Sequence, residues 1–305
     1  MKTLVLGNVF VDVIVSVDAL PKTGDDLVCN KHIITIGGCA YNVATVLKNF
    51  GVDHTIICPV GNGIYGNIIE KELIENDYTT GIKVNYGDNG YCLCLVEKNG
   101  ERSFITIPGI ETEYKEEWLE MIDSSKYKNI YISGYEIEKK SGIVITNWLS
   151  RQVNKNIFFG PGPRINYIDK DTLNRVLSMN PILHLNEEEA LKFTKENNIV
   201  DAAKVLNKRT NNTVFITLGE NGVMYFSEGS YKYIDGVTTD VVNTIGAGDS
   251  HIGAIIAAYS MGYDFEDCCY IANKVSANVV SFEGSRLESK LFNKNEYILD
   301  EEVAL

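Results

Sequence analysis

From Asn129 to Gly219 short apolar runs alternate with stretches of helical spacing: NIYISGY, SGIVITNWLSRQV, NIFFGPG, DKDTLNRVLSM, ILHLN, EEEALKFTKEN, DAAKVLNKR and TVFITLG follow one another. A strand that returns parallel to its neighbour needs a long crossover, and a helix supplies it. The alternation therefore predicts a mainly parallel sheet with helices on both faces. The start of the chain fits the same frame. KTLVLGNVFVDVIV reads as a buried strand broken by Gly7 and Asn8, AYNVATVLKNF as a helix stopped at Gly51, HTIICPVGN as a second buried strand, and IYGNIIEKELIEND as a further helix. Two segments break the pattern. Ile14 to Thr35 reads strand, loop, strand, and YCLCLVE with RSFITIPG reads as a hairpin turning around Lys98, Asn99 and Gly100. With no low-complexity linker and no internal repeat, the expectation is one α/β domain over 1–305 carrying a small β-sheet lid built from about 12–36 and 89–109.

Charge narrows the partners. The formal net charge of −13 and pI near 4.8 argue against a nucleic acid, whose phosphates demand clustered Lys and Arg. No apolar run approaches the roughly 20 residues that cross a bilayer, and no charged start precedes an apolar segment, so no membrane partner and a cytoplasmic location are expected. The seven cysteines form no CxxC pair and read as reduced, mostly buried thiols. The four histidines lack zinc spacing, which leaves oxygen as the expected metal donor.

Four stretches carry polar residues where such a sheet would expose them. In NTIGAGDSHIGAIIAAYSMG, the amides of Gly246, Ala247 and Gly248 open a helix, where unpaired N–H groups suit an anion. Asp249 stands beside them, ionised by the helix end and able to accept a proton from a hydroxyl; a tight turn with an acidic first-turn residue fits this stretch equally well. In ITIGGCAYNVATVLKNFG, Gly37 and Gly38 allow close approach to the backbone, and Asn42 can bind sugar hydroxyls, although a strand-to-helix turn explains the glycines alone. In HLNEEEALKF, Asn186 and Glu189 have capping-box spacing, and the same place suits a hydrated Mg²⁺ beside phosphates; spacing by itself favours the cap. VFITLGENGVMYF places Thr217 and Gly219 at a strand end, where open α/β sheets bind ligands and hairpins turn. No GxxxxGK[ST] or GxSxG occurs, and Gly7 at the end of the first strand does not open a GxGxxG.

In order, GNVFVD (Gly7 to Asp12), GGCAYN (Gly37 to Asn42), VGNGIYG (Val60 to Gly66), NEEE (Asn186 to Glu189), TLGENG (Thr217 to Gly222) and NTIGAGD (Asn243 to Asp249) resemble the ribokinase-like family, the PfkB carbohydrate kinases, across nearly the whole chain. GDNGYCL, the SGY at Ser133 to Tyr135 and GPGPR at Gly160 to Arg164 are similar to an uncharacterised bacterial sugar-kinase subgroup. The resemblance implies a three-layer α/β/α fold and transfer of the ATP γ-phosphoryl group to a sugar hydroxyl, expected to be primary. It implies Asp249 as the base, Gly246, Ala247 and Gly248 as the anion hole, and Asp12, Gly38 and Asn42, with neighbouring Gly37, as substrate contacts. Asn186 and Glu189 would lie by the phosphates and Mg²⁺, Thr217 and Gly219 by the nucleotide, and Asn273 near the adenine.

The chain departs from the pattern in two places. Asn243 replaces an aspartate that helps bind K⁺ in the family; an amide oxygen can coordinate but lacks the charge, which puts K⁺ activation in doubt. Asn62 replaces another aspartate and reads as a surface difference. Arg164 reads as a solvated or structural residue, and His251 as a first-turn residue without a special role. Two rivals remain: a nucleoside kinase stacking its base on Tyr41 or Phe104, and a non-catalytic ligand sensor. Exposed lid strands could pair between subunits, which leaves a homodimer open.

Overall fold

The computed structural model describes residues 1–29, 31–79, 81–98, 101–282, 284, 286 and 292–298. Its strands are β1 (Thr3–Leu6), β2 (Phe10–Val17), β3 (Lys31–Gly37), β4 (His54–Ile57), β5 (Pro59–Val60), β6 (Ile82–Lys83), β7 (Tyr91–Glu97), β8 (Arg102–Ile107), β9 (Asn129–Ser133), β10 (Asn156–Gly160), β11 (Ile182–Asn186), β12 (Val214–Thr217), β13 (Val223–Ser227) and β14 (Ser230–Ile234). The helices are α1 (Cys39–Asn49), α2 (Ile64–Glu75), α3 (Glu116–Glu120), α4 (Gly134–Ile137), α5 (Lys140–Leu149), α6 (Lys170–Leu177), α7 (Glu187–Thr194), α8 (Ile199–Thr210), α9 (Ala247–Met261) and α10 (Phe265–Val280).

Eight strands form one sheet in the order β14-β13-β12-β11-β10-β9-β1-β4, parallel from β12 to β4 and antiparallel at β13 and β14. Successive residues of a strand point to opposite faces. Leu4, Leu6, Ile130, Ile132 and Phe159 accordingly pack under one face with Leu149, Leu173 and Leu206, while Val5, Tyr131 and Phe158 pack under the other with Val43, Ile255 and Val275. Helices α1, α9 and α10 thus cover one side and α5, α6 and α8 the other, giving the three layers expected of the alternation.

The helix-free segment and the hairpin strands join in a separate sheet, β3-β2-β7-β8, with β2 and β7 parallel and the other pairs antiparallel. Of the expected hairpin turn, Asn99 and Gly100 lie outside the described residues. One expectation fails: HTIICPVGN is not a single strand. Pairing with β1 ends at Ile57, and Pro59–Val60 turns away to pair with Ile82–Lys83. Pro59 has no N–H to extend the first ladder. Among the described residues no helix is long and apolar enough to cross a membrane.

Candidate active site

The parallel strands end along one edge at Leu6, Ser133, Gly160, Asn186 and Thr217, with Ser133 opposite Gly160 and Asn186 opposite Thr217. Helices α1 and α9 start above that edge. They approach closely, since a Cβ at Gly253 would come 3.0 Å from the Val46 Cβ. This contact joins residues far apart in sequence: Asn42 Nδ2 donates to Asp249 Oδ2 at 2.8 Å. The Cys39 thiol, one helical turn before Asn42, lies beside the same carboxylate and favours its ionised form. Burial raises the Asp249 pKa, and the Asn42 and Cys39 hydrogen bonds temper the rise by favouring the ionised form.

The two glycines ahead of α1 are closely approached, Gly37 by a side chain and Gly38 by backbone. A Cβ on Gly37 would lie 2.0 Å from Asp12 Oδ2, so the carboxylate rests against the glycine. Gly38 has φ 102°, and its Cβ would fall 2.5 Å from the Asn8 carbonyl oxygen. Asp12, in β2, is pushed up to about 6 by burial, against a lowering influence from Arg286. Arg286 also donates to the Ile36 carbonyl and to Glu72 Oε1, and its guanidinium stacks on Tyr41 at 4.6 Å. Tyr41 is itself buried, with its hydroxyl donating to Glu72 at 2.7 Å, and offers no face to a nucleobase; Phe104 remains exposed.

At the start of α9, Gly246 takes φ 77° as N-cap and no side chain caps the first turn. A Cβ at Gly248 would meet nothing within 4 Å. The Ala247 N–H is turned toward the Thr244 carbonyl at 3.3 Å. Ser276 of α10 holds this turn by donating to the Ala247 carbonyl at 3.1 Å.

Along the β11–β12 edge, Asn186 and Glu189 close a reciprocal capping box at 2.8 and 3.0 Å, as their spacing predicts. Burial raises the Glu189 pKa, opposed by the Asn186 N–H. Among the described residues no group of three or more His, Cys, Asp or Glu could enclose a metal. One carboxylate with an oxygen already committed suits Mg²⁺, which keeps most of its waters and takes further oxygens from phosphates. Thr217 Oγ1 donates to the Leu185 carbonyl at 3.5 Å, and Gly219 turns the chain into β13 at φ 60° with nothing within 4 Å of its Cβ.

Three sequence expectations change. The Asn243 side-chain oxygen is already occupied: Oδ1 accepts from Arg102 at 2.6 Å and from the Ile245 N–H at 2.8 Å, and Nδ2 donates to Gly284. Asn273 spends its amide inside the protein, donating to the Ile234 and Asp235 carbonyls and accepting from His251 Nε2 at 3.1 Å. His251 in turn has a structural role. Because Asn273 presents an oxygen to it, its Nε2 carries the proton and its Nδ1 accepts from His184 Nε2 at 2.9 Å. Both rings are buried, which holds His251 down at about 4 and His184 well below the usual histidine range. This chain ties β11, two residues before Asn186, to α9, two residues after Asp249. Arg164 is structural, paired with Glu138 and stacked on Tyr167, and Asn62 is exposed, donating to Asn85.

Sequence reasoning passed over Arg102, Cys39, Arg286 and the His184–His251 pair. Only Cys39 carried a local signal, its i, i+3 spacing from Asn42.

Residues 2–290 match the profile of the pfkB family carbohydrate kinases. The chain is 32% identical over 301 residues to the uncharacterized sugar kinase YegV of Escherichia coli K12, covering 96% of this chain and 94% of that protein. A nucleoside kinase of Methanothermobacter thermautotrophicus is 23% identical, over 93% of this chain and 90% of its own. Among solved structures, the ribokinase of Thermotoga maritima superposes with a TM-score of 0.83 at 21% identity, covering 97% of both chains.

Proposed function

Because the chain belongs to the pfkB carbohydrate kinases, a family of phosphotransferases that use ATP and Mg²⁺, we propose that it transfers the γ-phosphoryl group of ATP to a primary hydroxyl of a small uncharged sugar. One observation carries the reading: Asp249 is held by Asn42 at the mouth of a helix whose first turn has no side-chain cap. Asp249 takes the proton from the acceptor hydroxyl, and its raised pKa makes it a stronger base than an exposed carboxylate. Asn42 fixes the carboxylate, while Asp12, beside Gly37, binds a second hydroxyl of the acceptor. The transferred group spreads charge over its oxygens in a loose transition state, so positioning and electrostatics dominate; the amides around Gly248 and the helix dipole meet that charge. Glu189 would hold Mg²⁺ through water, and the bound ion would supply neutralisation of the phosphate charge. Asn186, Thr217 and Gly219 border the nucleotide.

The acceptor reading favours a sugar over a nucleoside, since Tyr41 is buried and stacked by Arg286. Charge also points to a neutral acceptor: near the acceptor side, Arg286 is paired with Glu72 and Arg164 with Glu138, while Asp12 and Asp249 remain as carboxylates. The closed hydrogen-bond set of Asn243 implies activity that does not depend on K⁺. The small sheet leaves Ile34 and Phe104 54% and 55% exposed, and burying them against a second copy would make a homodimer, which light scattering would report.

ADP release measured across a panel of sugars, sugar phosphates, sugar acids and nucleosides tests the reading. Acceptor-dependent turnover on a neutral sugar, equal in KCl and choline chloride, is expected. Turnover confined to nucleosides or to anionic sugars would replace the acceptor, and ATP binding without turnover on any acceptor would favour a sensor.

A further inference from the structure

We propose that Arg102 is a positioning residue that fastens the small sheet to the loop feeding the phosphate-binding helix, so that the anion-binding amides are aligned only while β8 is docked. Arg102 begins β8, paired with Val96 in the small sheet. Its guanidinium donates at 2.6 Å to Asn243, 141 residues away. The oxygen that receives it is the one that accepts from the Ile245 N–H at 2.8 Å. A single atom therefore sets both the docking of the strand and the turn of the backbone, one residue before the N-cap Gly246. The far side of Asn243 is equally fixed: its N–H donates to the carbonyl of Val280, the last residue of α10, at 3.0 Å, and its Nδ2 donates to Gly284, four residues further on.

Asn243 is only 8% exposed, so its oxygen has little access to water as a substitute partner. Guanidinium remains charged at every working pH and presents several donors in a rigid plane. Removing it leaves the Asn243 oxygen with one hydrogen bond and frees β8 from the loop. Misalignment of donors that act mainly in the transition state lowers turnover more than it weakens acceptor binding. Arg102 itself touches no reacting atom on this account; it acts through Asn243, Ile245 and the first turn of α9.

The inference rests on the kinase reading for its kinetic arm alone. Arg102→Ala and Arg102→Lys are compared with the parent protein in two ways: steady-state kinetics on the sugar identified by the panel, and amide hydrogen exchange without any ligand. For Arg102→Ala, kcat is expected to fall about tenfold with the acceptor KM changed less than about threefold, and free guanidinium ion to restore part of the loss. Arg102→Lys should be intermediate, because a point charge reaches the oxygen without the planar fork. Exchange should quicken over 242–248 and over 91–98 together in Arg102→Ala. Unchanged exchange over 242–248 overturns the proposal, as does an Arg102→Ala enzyme with full kcat. If the parent protein phosphorylates nothing, the kinase reading fails on its own and the exchange data alone decide the role of Arg102.

Discussion

The proposed acceptor side and the proposed nucleotide edge of the site are built by opposite means. At the nucleotide edge Asn186 and Glu189 satisfy each other across three residues, and Gly219 turns in open space. On the acceptor side Asn42 reaches Asp249 across 207 residues, Gly38 is wedged under the Asn8 carbonyl, and Asp12 presses on Gly37. A local motif keeps its geometry when its surroundings shift, whereas a long-range one exists only when α1, α9 and the small sheet are all in place. The acceptor side is therefore where mutation should couple stability to chemistry, and the nucleotide edge where the two should separate.

The sharpest contrast comes from one substitution made twice. Gly38→Ala combines a positive φ with a steric collision against backbone and should cost at least ~3 kcal/mol, while Gly219→Ala meets only the left-handed backbone penalty of about 1 kcal/mol. Urea midpoints at constant m report both, and equal losses would dissolve the distinction. Next, Asn42→Ala removes the donor that favours ionised Asp249. We expect kcat to fall roughly tenfold to a hundredfold and the acid limb of kcat/KM to move to higher pH; an unmoved limb would show that Asn42 does not tune the base.

A smaller effect separates charge from binding. The Asp12 pKa is raised from 3.8 to about 6, so between those values the folded protein binds more protons than the unfolded chain and stability falls as pH rises. Asp12→Asn should therefore stabilise the fold by ~1–2 kcal/mol above pH 6, allowing for the partial exposure of the group. The gain should vanish below pH 4, and acceptor KM should rise. A gain independent of pH would assign it to something other than the buried charge. The smallest change is expected at the nucleotide edge: Asn186→Ala should lose about 1 kcal/mol, the worth of an N-cap, with acceptor KM unaltered.

The same division governs what could be read in advance. The strand–helix alternation, the capping box and the glycine-opened helix are written in spacings of a few residues, and all three were legible. The split at Pro59 was missed because apolar periodicity runs straight through it, although a proline inside a strand run is itself a warning. The Arg102–Asn243 contact and the His184–His251–Asn273 chain have no local signature, because each partner looks ordinary until the fold brings it to the other. His251 in particular reads as a first-turn residue without a special role from α9 alone, and the arrival of β11 and α10 gives it its partners. Asn243 showed an unusual residue type, but not the guanidinium that completes it.

The central claim is that Asp249, placed by α1 at the open start of α9, removes the acceptor proton during phosphoryl transfer. Acceptor-dependent ADP formation at saturating ATP and sugar, compared between the parent protein and Asp249→Asn of matched thermal stability, tests it most directly. The account predicts a fall in kcat of at least about a hundredfold with ATP binding retained; an Asp249→Asn enzyme that turns over at the parent rate would contradict it.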